Sequence, residues 1–292
     1  MEQINETIDK YIKEKNTKNK KMISTGFPDL DRAINGLSGN NLILIASRPA
    51  MGKSNLLLSI ATNVAMNEKI PVAYFNLEMS KERCVKKIIS ANAMVKVDSI
   101  EHAEIEEYEW ENICKVSKEL SKAKLFIDDT PAVSLTDIFS ECKKLKEKQG
   151  LGLILVDYMQ LISTAQDIGK EHRNAVICSR LKGMANLLKV PIIVTSQLSR
   201  KPEEREDKRP RITDFACPPK DLDDADAIIL LYRDDYYKKH AKYKKIMELI
   251  IAKNQLGDIG TIELACLDEY AKVINIDNKK EQKWKTSEMT MT

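Results

Sequence analysis

Apolar residues fall in short continuous runs along most of the chain, separated by longer stretches in which they recur every three or four positions. The run Leu42-Ile43-Leu44-Ile45-Ala46 does not alternate with polar residues, so it predicts a strand buried on both faces, as in a parallel sheet. Val72–Leu77, Lys124–Ile127, Leu151–Val156 and Ile192–Thr195 predict four more strands. Between them, Asn55–Asn67, Lys81–Val95, Leu135–Gln149 and Val176–Leu188 carry helical spacing. Glu101–Ser121 reads as one further helix, mostly polar and on the surface. Later the strand-like runs follow one another: Ala227–Tyr232, Met247–Ala252 and Gly260–Cys266, with Val273–Ile276 a fourth. Early alternation followed by consecutive strands predicts an α/β fold. Its mainly parallel central sheet carries helices on both faces and an antiparallel extension.

The two ends differ from this body. Ile4, Ile8, Tyr11 and Ile12 make one stripe of a short helix. About three turns do not hold alone in water, so the stripe needs a surface to cover it. Lys13–Lys21 is basic and aperiodic, and reads as a linker. Residues 1–21 are thus a linker helix with a basic linker, 22–278 the globular domain, and 279–292 a polar, disordered tail. Thr164–Arg173 is a polar stretch leading into the next helix, and Arg200–Arg211, with both charge signs and two prolines, reads as a solvated loop.

Composition narrows the class. The 292 residues suffice for one large or two small domains, and 43% hydrophobic residues suffice for a core. Lys+Arg 47 against Asp+Glu 44 leaves a net charge of +3, which excludes a wholly basic nucleic-acid binder. The six cysteines lie far apart without a C-x-x-C pair, which suits reduced, buried thiols rather than disulfides or zinc. With no signal core and no apolar stretch of spanning length, the expectation is a soluble, cytoplasmic protein without a membrane partner.

The chemistry sits just past strand ends, where open α/β sheets bind ligands. The first strand breaks into Ser47-Arg48-Pro49-Ala50-Met51-Gly52-Lys53-Ser54 and then into a helix, the context that a P-loop requires. Such a loop cradles polyphosphate with inward N–H groups and a helix N-terminus. Lys53 is placed for the β- and γ-phosphates of ATP, and Ser54 for Mg²⁺. Ser47 stands where the full pattern has its first Gly. Asp157, after an apolar run, suits the acid that holds Mg²⁺, directly or through water. Glu78 is the candidate base for the attacking water, and Gln197 a candidate γ-phosphate sensor.

The blocks TGFPDLDR, SRPAMGKS, FNLEMS, ILVDYMQL, TSQLSR, DKRP, DDADAIILLYRD and GDIGTI, in that order, resemble the ATPase domain of DnaB-type replicative helicases over Ser24–Asn278. The resemblance implies a RecA-like fold and a hexameric ring around single-stranded DNA, with ATP hydrolysed between subunits during DNA replication. By position it implies Lys53 and Ser54 as the phosphate and metal pair, Asp157 as the metal-holding acid, Glu78 as base and Gln197 as sensor. It also implies that the N-terminal helix docks on the adjacent subunit, and that a primase or helicase loader is a further partner. The separate N-terminal helical domain of the bacterial members has no counterpart here, as in a truncated or naturally short form. Two motifs depart from the family. Its Lys-x-Arg-Asn-Gly reads Lys253-Asn254-Gln255-Leu256-Gly257, so the arginine finger is Gln255 and Lys253 is the remaining cation. Its Arg-Glu-Ser-Gly DNA loop reads Ala216-Cys217-Pro218-Pro219. DNA contact then falls to Lys220, or to Arg200, Lys201, Arg205, Lys208, Arg209 and Arg211. The alternatives are a non-motor paralogue that uses ATP as an assembly or loading switch, and a RecA- or RadA-like recombination ATPase.

Overall fold

Six consecutive buried residues, Leu42–Ser47, form β1 inside a nine-stranded sheet. The computed structural model describes residues 22–164, 173–237 and 245–276. The predicted N-terminal helix and linker, most of the Thr164–Arg173 stretch and the polar tail lie outside them. The sheet runs β3-β2-β4-β5-β1-β6-β7-β8-β9. β2 (Val72–Asn76), β3 (Leu125–Asp128), β4 (Leu153–Asp157), β5 (Ile192–Gln197) and β6 (Ala227–Tyr232) run parallel with β1. β7 (Ile246–Asn254), β8 (Gly260–Leu267) and β9 (Lys272–Asn275) extend them antiparallel, as the run of consecutive strands predicts.

The unbroken apolar runs follow from cover on both faces. Ile43 and Ile45 pack with Leu56, Leu57 and Ile60 of the helix Lys53–Thr62. Leu42, Leu44 and Ala46 face the other way, into the core cluster that holds Ile138, Ile177 and Leu181 from the helices Leu135–Gln149 and Arg173–Leu188. In β7 only alternate residues, Met247, Leu249 and Ile251, are buried, the pattern of an antiparallel strand with one covered face.

Two helices differ from expectation. The stretch expected to continue to Asn67 is α-helical over Lys53–Thr62 and becomes a π-helical turn over Asn63–Asn67. The single helix expected over Glu101–Ser121 is two, Val97–His102 and Glu107–Leu120. Ala103 turns left-handed with φ 58°, which ends the first, and Glu106 with Glu109 forms a capping box that starts the second. The second is also less superficial than its polarity suggests. Ile113 and Val116 close a small satellite core with Ala93 and Val95.

The cysteines are all free thiols, buried except for Cys114, and burial pushes the Cys178 thiol up to about 12. Among the described residues, no helix is long and apolar enough to cross a membrane.

The entry to β1 is pinned by one carboxylate. Asp226 Oδ2 accepts from the Leu42 N–H at 2.7 Å, and its two oxygens accept from Lys182 Nζ at 2.6 and 2.7 Å. This ties β1, β6 and the helix Arg173–Leu188 together. Asp226→Ala leaves the buried Leu42 N–H without its acceptor and Lys182 without its carboxylate. Urea unfolding is expected to show a loss of roughly 2–4 kcal/mol.

Candidate nucleotide site

The loop after β1 is shaped by backbone conformations that few residues accept. Ala50 takes φ 63° and Gly52 φ 92°. The left-handed φ at Gly52 requires glycine, and a Cβ there would also displace the tip of Met247, whose Cε would lie 2.6 Å away. Gly52 is the N-cap of the helix Lys53–Thr62, whose first N–H groups therefore face the loop without intrahelical partners. Ser47, the departure from the glycine pattern, has a definite use. Its buried hydroxyl accepts from Lys53 Nζ at 3.2 Å and donates to the Arg48 carbonyl at 2.7 Å. Burial lowers the Lys53 pKa, opposed by the charges of Asp157 and Glu78 and reinforced by Arg48. A polyphosphate placed there would restore the charge balance of that ammonium.

Asp157 ends β4 with no solvent exposure. Its Oδ2 accepts from Ser54 Oγ at 2.6 Å and from the Tyr74 hydroxyl at 3.3 Å, and its Oδ1 accepts from Thr195 Oγ1. The structure thus brings together Lys53, Ser54 and Asp157, as the sequence predicts, and adds Tyr74 and Thr195. Burial, then the Asp157 charge, raises the Tyr74 phenol well above its ordinary pKa, so it stays a hydrogen-bond donor.

The flanking strand ends complete the site. Asn76 is in register with Asp157, and Ser47 with Gln197. Asn76 Oδ1 accepts from the N–H groups of Glu78 and Met79 at 3.1 and 3.0 Å, which shapes the turn that leaves Glu78 exposed. Gln160 Nε2 donates to Ser196 Oγ at 2.8 Å and to the Gln197 carbonyl at 3.2 Å, and Gln160 Oε1 accepts from Gln197 N–H at 3.3 Å. These bonds fix the Gln197 backbone, and its side-chain amide takes no part in them. Arg48 Nε donates to Glu203 at 2.8 Å and Arg48 Nη1 to the Leu198 carbonyl at 2.8 Å, tying the loop to the segment after β5. Pro49 and Met51 fill the rest of the loop, with Met51 buried.

The family described as "DnaB-like helicase C terminal domain" matches residues 22–275. The chain belongs to that family. It is 40% identical over 260 residues to "Replicative DNA helicase DnaB" of Geobacillus stearothermophilus, covering 88% of this chain and 57% of that protein. It is 39% identical over 259 residues to "Replicative DNA helicase DnaC" of Bacillus subtilis, with the same coverage. The chain therefore spans somewhat over half the length of these relatives. Among solved structures, one described as an "ATPase Domain" superposes with TM-score 0.89 at 33% identity, covering 95% of this chain and 100% of that one. "The Structure Of A DnaB-Like Replicative Helicase And Its Interactions With Primase" superposes with TM-score 0.88 at 33% identity, covering 94% and 69%. The fold is RecA-like.

Other expected site residues of this DnaB-like chain stand elsewhere. Lys253 pairs with Ile228 near the start of β6, at the sheet end opposite the P-loop. There its Nζ donates to the Asp223 carbonyl at 2.8 Å, with the Leu222 carbonyl at 3.5 Å. Lys253 and Lys53 of one chain therefore stand at opposite ends of the sheet. Gln255 is exposed on a hairpin held by Asn254 Nδ2, which donates to the carbonyls of Ala33 at 2.8 Å and Asp258 at 2.7 Å.

The basic residues do not share one surface. Lys220 is exposed in the turn Pro219–Leu222 ahead of β6, whereas Arg200 and Lys201 follow β5 at the P-loop end. The segment Arg200–Arg211 is also more than a solvated loop. It contains the helical turn Lys201–Glu204, and Pro202 is buried. Arg205 Nη1 and Nη2 bind the buried Asp214 at 2.6 and 2.9 Å. Arg209 binds Glu248 through both Nη atoms, with its guanidinium 5.0 Å from the Tyr232 ring centroid. Lys201 Nζ donates to the Thr213 carbonyl at 3.2 Å, Lys208 Nζ to the Glu203 carbonyl, and Arg211 lies 3.6 Å from Asp207. Mixed charge in sequence becomes internal pairing in the fold.

Burial pushes the Asp214 pKa up, but hydrogen bonds from Arg205 and the Arg211 N–H, with both guanidinium charges, hold it below the ordinary carboxylate value. A lowered folded pKa means stability present above the unfolded value and lost as pH falls through the folded one. Arg205→Ala is expected to cost roughly 2–4 kcal/mol at neutral pH. In urea titrations the gap between wild type and variant is expected to narrow below about pH 4.

Proposed function

We propose that this chain is an ATP-driven motor domain of a ring-forming replicative helicase, acting on single-stranded DNA in the cytoplasm. The observation that carries the reading is the 2.6 Å bond from Ser54 to Asp157, beside the Lys53 ammonium at the mouth of the P-loop. That is the arrangement a P-loop NTPase needs to hold a metal–triphosphate. The identity to replicative helicases supports the reading, and the family matched favours it over the recombinase alternative.

The donor set fits Mg²⁺. The Ser54 hydroxyl and the Asp157 carboxylate are hard oxygen donors, the kind that ion prefers. When bound, Mg²⁺ neutralises charge on the β- and γ-phosphates. Lys53 would leave the Ser47 hydroxyl for those phosphates, with the helix N-terminus behind them. Glu78, exposed on its turn, would take the proton of the attacking water. Gln197 would hydrogen-bond the γ-phosphate and pass its presence to the segment after β5, which Arg48 also holds. Because Lys253 and Gln255 lie at the opposite sheet end, they would serve a neighbouring copy's site. This favours hydrolysis between subunits of a ring, here a hexamer. One similar solved helicase interacts with primase, and a primase or a loader would likewise act on such a ring here. Arg200, Lys201, Arg209, Arg211 and Lys220 are the cations offered to DNA. Arg209 and Arg211 already face carboxylates of their own chain, so Arg200, Lys201 and Lys220 have more charge to give.

One observation favours a second reading. Gln255 is neutral where the family carries its cationic finger, a group worth on the order of 10³-fold or more in rate. Lys253 is held by two carbonyls of its own chain. A protein so built would bind ATP as an assembly or loading switch and turn it over slowly.

Steady-state ATP hydrolysis with and without single-stranded DNA separates the two. A motor is expected to show strong DNA stimulation, with Glu78→Gln lowering turnover by about 10²–10⁴-fold while nucleotide still binds. Tight ATP binding with negligible, DNA-indifferent turnover would establish the switch instead.

A further inference from the structure

We propose that Tyr74 and Thr195 are positioning residues that fix the Asp157 carboxylate, Tyr74 at Oδ2 and Thr195 at Oδ1, so that the metal-holding edge of the site keeps one orientation. The inference rests on the nucleotide-binding reading above and assigns a role to two residues outside the P-loop. A carboxylate rotates freely about its last torsion unless both oxygens are held. Here three hydroxyls from three elements hold them: Ser54 from the P-loop helix, Tyr74 from β2 and Thr195 from β5. Ser54 alone could not do so, because it reaches Oδ2 only and leaves Oδ1 unheld.

The cost of burial points the same way. Tyr74 is fully buried within the core that covers the P-loop helix, where an apolar side chain would fill the space without a polar penalty. Its hydroxyl instead reaches across from β2, where Tyr74 is in register with Leu155, to the acid two residues further along β4. Tyr74 and Asn76 are two apart on β2, so one strand reaches the metal-holding acid through Tyr74 and shapes, through Asn76, the turn that carries Glu78. Thr195 is likewise buried, on the strand that ends in Gln197. Outer residues that orient a metal-holding group commonly change metal affinity or activity by about 10–100-fold when removed.

The test reads the Mg²⁺ dependence of nucleotide binding, using a fluorescent ATP analogue titrated at fixed protein with increasing Mg²⁺, alongside turnover. Tyr74→Phe keeps the ring and removes one oxygen, and Thr195→Val keeps the shape and removes the other hydroxyl. Each is expected to raise the half-saturating Mg²⁺ concentration by about 10-fold while binding without Mg²⁺ stays within about two-fold of wild type. Thr195→Ser is expected to restore the wild-type value. A merely structural role would lower the melting temperature and leave the Mg²⁺ midpoint where it was, and that result overturns the proposal. If Tyr74→Phe does not fold, the contrast between Thr195→Val and Thr195→Ser decides the matter. A wild-type protein that binds Mg²⁺–ATP without turning it over would remove the motor reading and leave this test intact. One that binds no nucleotide would remove both.

Discussion

A carboxylate without solvent exposure sets the terms for the centre of this molecule. Removing Asp157 from water costs several kcal/mol unless its oxygens find donors, and the protein supplies three hydroxyls. Those donors come from the P-loop helix, β2 and β5, so satisfying one charge draws three separately encoded segments to one point. On the proposed function, the same point would hold a divalent cation and a triphosphate, and stability and function would depend on the same bonds.

Around that centre, the parallel strands end in two pairs, β2 with β4 and β1 with β5. Register places Asn76 beside Asp157 and Ser47 beside Gln197, and because Val156 pairs with Val194, β1 and β5 run two residues past the ends of β2 and β4. Side-chain amides then pin the exits: Asn76 the turn before Glu78, Gln160 the end of β5. Arg48 joins the phosphate loop to the segment after β5 through Glu203 and the Leu198 carbonyl. The phosphate loop therefore has a short, hydrogen-bonded connection to that segment.

The cations divide into two populations. Arg205, Arg209 and Arg233 meet carboxylates of their own chain in bidentate pairs, which hold the loops around β6 and β7 and leave little charge for a partner. Lys53 instead donates to the neutral Ser47 hydroxyl. Lys253 lies between these cases, tethered to carbonyls at the far end of the sheet.

Local pattern was enough to read the strands, the P-loop and the order of the sheet-forming segments along the chain, because burial on two faces writes an unbroken apolar run and a tight phosphate loop demands Gly-Lys-Ser before a helix. It also singled out Asp157, Glu78 and Gln197, each the polar residue just past an apolar run. The hydroxyls of Tyr74 and Thr195 carried no such mark, since each sits inside a strand where it reads as core. Ser54 and Asp157 are 103 residues apart, and only the strand order decides that they touch. The pairing of Arg205 with Asp214 and of Arg209 with Glu248, and the break at Ala103, were likewise invisible to periodicity. Periodicity reports which face of an element is buried, whereas the partner of a polar group is set by what the sheet's crossovers bring alongside it.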